Sequence, residues 1–308
     1  MAVKTLLYAA LVAAALVGGV VGGLPPAGPI MAETLVDLDA ERVFAAIAQS
    51  NGDPFAWQPF PDYGSSGLLW ARTNNQLGID IVDDIPAWDL LLGSDDLAIM
   101  GGTPPVEAQD YTHAVWIKWG AFNPPGGYRS LFRHANDHVI LVNNNDDLLG
   151  VYGNRGDAGF SPSLPPYFIT PDAWEFIVVV GRGDAANSVT GTSTFSAGGV
   201  NDCLPREVGV ADRVASGDTY ATFGHSFAAQ EPGAVARAMT WSRALAPDEI
   251  TAVFCESWPF AGVAKPAVCE GAPDDGCASC ACQNAGGDSD CDGVCDDEEV
   301  AGCQDPSA

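Results

Sequence analysis

The amino-acid sequence predicts an all-β fold: a two-sheet antiparallel sandwich with one short helix near its C-terminal end, followed by a small Cys-rich irregular tail. Three observations predict it. Between residues 33 and 262, short runs rich in Val, Ile, Phe, Trp, Tyr and Thr are separated by Gly, Pro, Asn and Asp clusters at the spacing of a sandwich. These runs either alternate in polarity or are apolar throughout, while long amphipathic helical patterns are scarce. Residues 269–308 hold seven of the nine Cys and 11 of the 40 acids, with no Lys or Arg, so this end needs covalent or metal staples rather than a core.

The elements follow in order. Residues 1–23 carry Lys4, an apolar stretch over 6–21 and small residues suited to a signal peptidase, with cleavage expected after Gly23 or after Ala32. Export to an extracellular or cell-surface location makes disulfides the default reading of the Cys and supplies calcium. Strands are expected over 111–119, 128–133, 138–142, 147–152, 174–180, 189–195, 218–223 and 233–241. In YTHAVWIKW, Tyr111, His113, Val115 and Ile117 take one side and Ala114 and Trp116 the other, and FIVVV at 176–180 reads as a strand covered on both faces. The clusters beginning at Asn123, Asn143 and Asn154 read as hairpin ends. After 241, Pro247 at the first helical position, acids at Asp248 and Glu249, and an apolar stripe of Ile250, Val253 and Phe254 give one short helix.

The succession LLGSDDLAIM, YTHAVWIKW, RSLFRHANDHVILV, a Trp174 strand and a closing GAVARAMTWSRALAPDEITAVF resembles the laminin-G-like, concanavalin-A-like jelly roll over about residues 33–260. The resemblance implies either a sugar-binding module or a glycan-cleaving enzyme on the same fold. Two positions depart from the pattern. The acidic pair of many members' closing strand is Ala236 and Arg237 here, and the usual Ser or Thr before the helix is Ala246, a loss of about 1 kcal/mol of capping.

Catalytic constellations are missing. A retaining sandwich glycosidase places two carboxylates on alternate positions of one strand, as E-x-D-x-E or E-x-D-x-x-E, and neither pattern occurs. Nucleophile elbows, H-E-x-x-H and phosphate loops are also absent from the sequence, so a non-enzymatic protein is expected. With 13 basic against 40 acidic residues and a net charge of −27, nucleic acid and anionic lipid are excluded as partners on electrostatic grounds. A glycan or an extracellular surface protein remains, with no membrane insertion after signal cleavage. Candidate ligand-binding residues are the polar cluster Arg133, His134, Asp137 and His138 and the oxygen-rich turn with Asn143 and Asp146, both of which also have plain structural explanations. Trp57, Trp70 and Trp88 are candidate sugar platforms.

The tail carries the sharpest pattern. In DSDCDGVCDDEE, Asp288, Asp290, Asp292, the Val294 carbonyl, Asp296 and Glu299 fill the ligand positions of a 12-residue calcium loop, with Gly293 at its sharp turn. The segment 288–308 resembles thrombospondin type 3 and related EF-hand-like calcium repeats, and 263–287 reads as a Cys-rich linker. Ca2+ is the expected cofactor. Disulfide candidates are Cys203, Cys255, Cys269, Cys277, Cys280, Cys282, Cys291, Cys295 and Cys303, with zinc at Cys277, Cys280, Cys282, Cys291 and Cys295 as the alternative. Cys203 and Cys255 are the pair expected to bridge within the sandwich, leaving one of the seven tail Cys unmatched. Because the chain stops inside a repeat-like pattern, a longer parent protein is expected.

Overall fold

The computed structural model describes residues 29–49, 60–61, 63–65, 69–72, 78–89, 97–99, 110–120, 127–134, 138–143, 145–153, 159–184, 187–200, 204–212, 214, 219–222, 233–260 and 262–270. A short helix α1 (Pro29–Ala32) leads into β1 (Val36–Asp39) and helix α2 (Ala40–Gln49). Then come β2 (Phe60–Pro61), β3 (Leu69–Arg72), β4 (Gly78–Val82), β5 (Ile85–Asp89), β6 (Leu97–Ile99) and β7 (Tyr111–Trp119). They are followed by β8 (Tyr128–His134), β9 (His138–Asn143), β10 (Leu148–Gly153), β11 (Gly159–Pro162), β12 (Trp174–Asp184) and β13 (Asn187–Gly199). The last strands are β14 (Arg206–Ala211), β15 (Thr219–Thr222) and β16 (Gly233–Trp241), before helix α3 (Pro247–Glu256).

These strands form two antiparallel sheets. The first has the order β14-β13-β12-β7-β16-β5-β4, with β1 also paired to β16, and the second β11-β10-β9-β8-β15-β6-β3-β2. The expected two-sheet sandwich is therefore present. The 123–127 cluster is not a hairpin end, because β7 and β8 lie in different sheets, whereas the turn after Asn143 and the connection after Gly153 do join antiparallel neighbours.

Alternation along the central strands explains why the first sheet is covered twice. From β7 and β12, Tyr111, Val115, Ile117, Ile177 and Val179 enter the core between the sheets, where they meet Leu131, Val139, Val142, Leu149 and Val151 of the second sheet. The opposite set, Ala114, Trp116, Phe176, Val178 and Val180, packs outward under α3 and the segment after it. Trp116 stands at the centre of this outer layer, with Phe176, Phe254, Trp258 and Phe260 rings 5.1–5.5 Å away and its indole N–H donated to Ser257 Oγ at 2.9 Å. Each such buried ring contributes roughly 1.5–3 kcal/mol, so this layer rather than helix propensity holds α3 in place.

Ala246 has no side chain to cap α3, and Glu249 supplies the other half of a capping box by accepting the Ala246 N–H at 2.8 Å. Arg243 donates to both Glu249 oxygens and to Glu33, tying the helix start to the chain after α1. Cys255 bridges Cys269, with Cα atoms 5.3 Å apart. The expected Cys203–Cys255 pair is therefore not formed: the chain after α3 folds back along the helix and brings Cys269 to it, while Cys203 lies outside the described residues. Among the described residues, no helix is long and apolar enough to cross a membrane.

Candidate functional site

The outer face of the second sheet presents a cluster of aromatic side chains. Tyr128 on β8, Tyr152 on β10 and Phe160 on β11 are each half-buried, with Tyr128 centred 5.4 Å from Tyr152 and 5.5 Å from Phe160. Register explains the meeting, since Tyr152 pairs with Phe160 across one hairpin and with His138 across the other. The His138 ring lies 6.3 Å from Tyr152, edge on. Gly150 completes the floor: a Cβ there would stand 2.7 Å from the Phe160 ring and 2.4 Å from the Ser161 carbonyl oxygen, so only glycine lets Phe160 lie across β10. Burial and the neighbouring Tyr152 raise the Tyr128 pKa, so its phenol stays neutral and able to donate a hydrogen bond.

His138 Nδ1 lies 3.0 Å from Ser130 Oγ. That pairing is a Ser–His contact, but Ser130 is completely buried and inaccessible as a nucleophile, so the pair orients the imidazole instead. At the far end of the same face, register sets Tyr128, Asn143, Leu148 and Phe168 in one row across the sheet, and Phe168 is 54% exposed. The face thus combines half-exposed rings with an imidazole and phenol hydroxyls. Apolar ring faces suit the C–H face of a sugar, and the polar tips suit its hydroxyls.

The ligand candidates read from the sequence fall around this face at two places. Arg133 and His138 are register partners at one end of β8 and β9, and His134 is the next residue on β8. Asn143 ends β9, about 17 Å from His138 by strand rise, so the two groups do not share one pocket. The Asn143 side-chain oxygen accepts the Asn145 N–H at 3.0 Å, which closes its own turn, and Asp146 is exposed. Asp137, the calcium-loop residues Asp288, Asp290, Asp292, Val294, Asp296 and Glu299, and Cys277, Cys280, Cys282, Cys291, Cys295 and Cys303 lie outside the described residues. Of the suggested sugar platforms, Trp88 is fully buried in the inter-sheet core and cannot stack on a ligand.

The other buried polar groups serve the fold. His113 is fully buried, stacks on Phe132 at 4.5 Å and lies 2.8 Å from Thr240 Oγ1; desolvation lowers its pKa to about 3, so it is a neutral core histidine. Asp37 and Asp39 stand on alternate positions of β1, the spacing of a glycosidase pair, and burial raises the Asp39 pKa. Arg237 donates to both Asp37 oxygens at 2.8 and 2.7 Å and approaches Asp39 at 3.7 Å, so this triad locks β1 to β16. The departure noted at Ala236 and Arg237 thus has a structural purpose, the cation answering the acids of the neighbouring strand. Glu175 is buried beside Tyr167, which donates to it at 3.1 Å, and the Thr170 N–H, at 3.2 Å. Desolvation pushes its pKa up to about 7. Among the described residues, no group of three or more His, Cys, Asp or Glu is arranged to hold a metal ion.

No family model and no curated protein matches this chain. Solved structures do. The botulinum neurotoxin serotype D binding domain aligns at 10% identity and TM-score 0.47, covering 74% of this chain and 52% of that one. The binding domain of botulinum neurotoxin DC in complex with SialylT aligns at 10% identity and TM-score 0.48 over the same shares. A Ruminococcus gnavus IT-sialidase CBM40 bound to alpha2,3 sialyllactose aligns at 15% identity and TM-score 0.32, covering 47% of this chain and 83% of that one. The alignment spans about half the length of the toxin domains.

Proposed function

We propose that this chain is a secreted, non-catalytic binding module that recognises a glycan, through the outer face of its second sheet, with a calcium-binding tail as spacer or adhesion element. The observation that carries the reading is the Tyr128, Tyr152 and Phe160 cluster, half-buried and floored by Gly150, with His138 beside it. Three half-buried rings gathered on one open face offer contact area to a ligand, whereas Trp88 and Trp116 are fully enclosed and offer none. The laminin-G-like, concanavalin-A-like resemblance of the sequence supports the same reading. Tyr152 touches both Tyr128 and His138 and is the central anchor, with Asn143 and Phe168 extending the surface.

Calcium belongs to the tail. Asp288, Asp290, Asp292, Asp296 and Glu299 with the Val294 carbonyl form an all-oxygen donor set, the chemistry a hard divalent cation prefers. A glycan array tests the whole reading. The oxidised protein is expected to bind in calcium, Tyr128→Ala with Tyr152→Ala to lose that binding, and Asp290→Ala with Glu299→Ala to lose one calcium by calorimetry. A protein that folds, binds its calcium and yet captures no glycan would instead be a purely structural module. Release of reducing sugar from a bound glycan would overturn the non-catalytic assignment.

A further inference from the structure

A second cavity lies on the other side of the molecule, between the first sheet and the start of α3. Its volume is about 480 Å3, within the range of small-molecule sites. The floor is apolar, made by Val180, Leu245 and Ile250, each no more than 5% exposed. Ser196, a residue 93% buried, also lines it.

Arg182 stands at the rim and is exposed. In a chain with 40 acids against 13 bases, a guanidinium has ample opportunity to find a carboxylate. Arg42, Arg129, Arg237, Arg243 and Lys118 each do. Arg182 has no such partner among the described residues, although Glu207 and Asp248 line the same cavity. Arg206 adds a second guanidinium to the lining. The start of α3 does not itself offer an anion site, because Pro247 lacks an N–H and Glu249 takes the Ala246 N–H.

We infer that this cavity is a second ligand site and that it takes a small carboxylate-bearing sugar, of the uronic acid class. Arg182 meets the carboxylate, Ser196 and the carboxylates of Glu207 and Asp248 meet the hydroxyls, and the C–H face rests on Val180, Leu245 and Ile250. A simple anion is excluded as the better ligand because the two rim carboxylates repel it unless hydroxyl donors come with it. The choice of a sugar as the body of the ligand rests on the glycan reading above; the site itself does not share a residue with the aromatic face.

The test titrates the full-length oxidised protein with methyl glucuronide and methyl glucoside at low salt by ligand-observed NMR. The glucuronide is expected to bind about tenfold more tightly, the difference being the charge-assisted Arg contact. Arg182→Ala, which removes an exposed side chain with no carboxylate partner among the described residues, is expected to abolish that preference with an unchanged unfolding midpoint. Tyr152→Ala is expected to leave glucuronide binding intact. Equal binding of the two sugars, or a preference that survives Arg182→Ala, overturns the inference. Loss of glucuronide binding in Tyr152→Ala also overturns it, since the ligand then sits on the aromatic face. Failure of the aromatic face to bind any glycan, with the Arg182-dependent preference intact, sinks the first reading alone.

Discussion

Replacing Glu175 by Gln should make the protein more stable at alkaline pH and have little such effect near pH 4.5. Glu175 sits on β12, opposite Ile117, only 6% exposed, and accepts from Tyr167 and Thr170 through Oε1. Oε2 and the Trp119 indole N–H are buried nearby without a hydrogen bond of good geometry. The carboxyl therefore favours its protonated form, with a pKa of about 7 in the fold against 4.5 in the unfolded chain. The folded value is raised, so the stabilisation is fully present below pH 4.5 and is lost as pH rises through 7. A gap of about 2.5 pH units corresponds to about 3 kcal/mol. Gln keeps the shape and the Oε1 acceptor but has no proton to lose. Urea unfolding of both proteins at pH 4.5 and pH 8.5 gives two stability differences, and their difference cancels both the packing of the amide and the general effect of a −27 charge. The expected value is about 3 kcal/mol in favour of Gln at the higher pH. Equal differences at the two pH values would refute a buried, desolvated Glu175.

Other outcomes follow from the same geometry. His113 should remain neutral down to about pH 3 in an NMR titration, and because its folded pKa is depressed, stability should fall as pH drops from 6.5 toward that value; a midpoint near 6.5 contradicts the packing described. Arg237→Met takes the bidentate cation from buried Asp37 and leaves Asp39 only Arg42 at 3.4 Å, and is expected to cost about 3–5 kcal/mol by chemical unfolding. Cys255→Ser opens a bridge of sequence separation 14 and should cost about 3 kcal/mol, while peptide mapping of the wild type should recover Cys255 joined to Cys269. If the protein is exported as proposed, the mature N-terminus should lie before Pro29 rather than at Glu33. The Ile30 carbonyl accepts the Trp241 indole N–H and Met31 is buried in the outer layer; N-terminal sequencing distinguishes the two.

The parts of the fold that the sequence declared are those whose strands are buried on both faces. FIVVV and YTHAVWIKW have no reading except central strands, and both lie next to each other at the middle of the first sheet. The N-terminal elements were hidden by brevity and by an abrupt change of period. Helix α2 follows β1 without a linker, and its signals are confined to ten residues: Asp39, whose Oδ1 accepts the Arg42 N–H at 3.1 Å as an N-cap, Glu41 in the first turn, and a short apolar stripe. The Cys255 partner is hidden in the sequence because the strand pattern ends near residue 262, whereas the chain continues along α3 to a short 3-10 turn at Ala267–Glu270.

The aromatic face was legible only in part. His138 and Asn143 could be named as candidates from their polar clusters, but Tyr128, Tyr152 and Phe160 are scattered over three strands. Register brings them together, and the available sign was the Gly150-x-Tyr152 spacing opposite Gly159-Phe160. Tryptophans are the largest platforms for a sugar, yet that size is also why Trp88 and Trp116 fill the cores.

Calorimetric titration of an array-selected glycan into the wild type and Tyr152→Ala addresses the aromatic face most directly. Removal of the central ring should weaken binding by about tenfold, equivalent to about 1.4 kcal/mol, in a protein that remains folded at the titration temperature with a modestly lowered unfolding midpoint, because Tyr152 is half-buried against Tyr128 and His138. Equal affinity in the two proteins would contradict the assignment of this face as the glycan site.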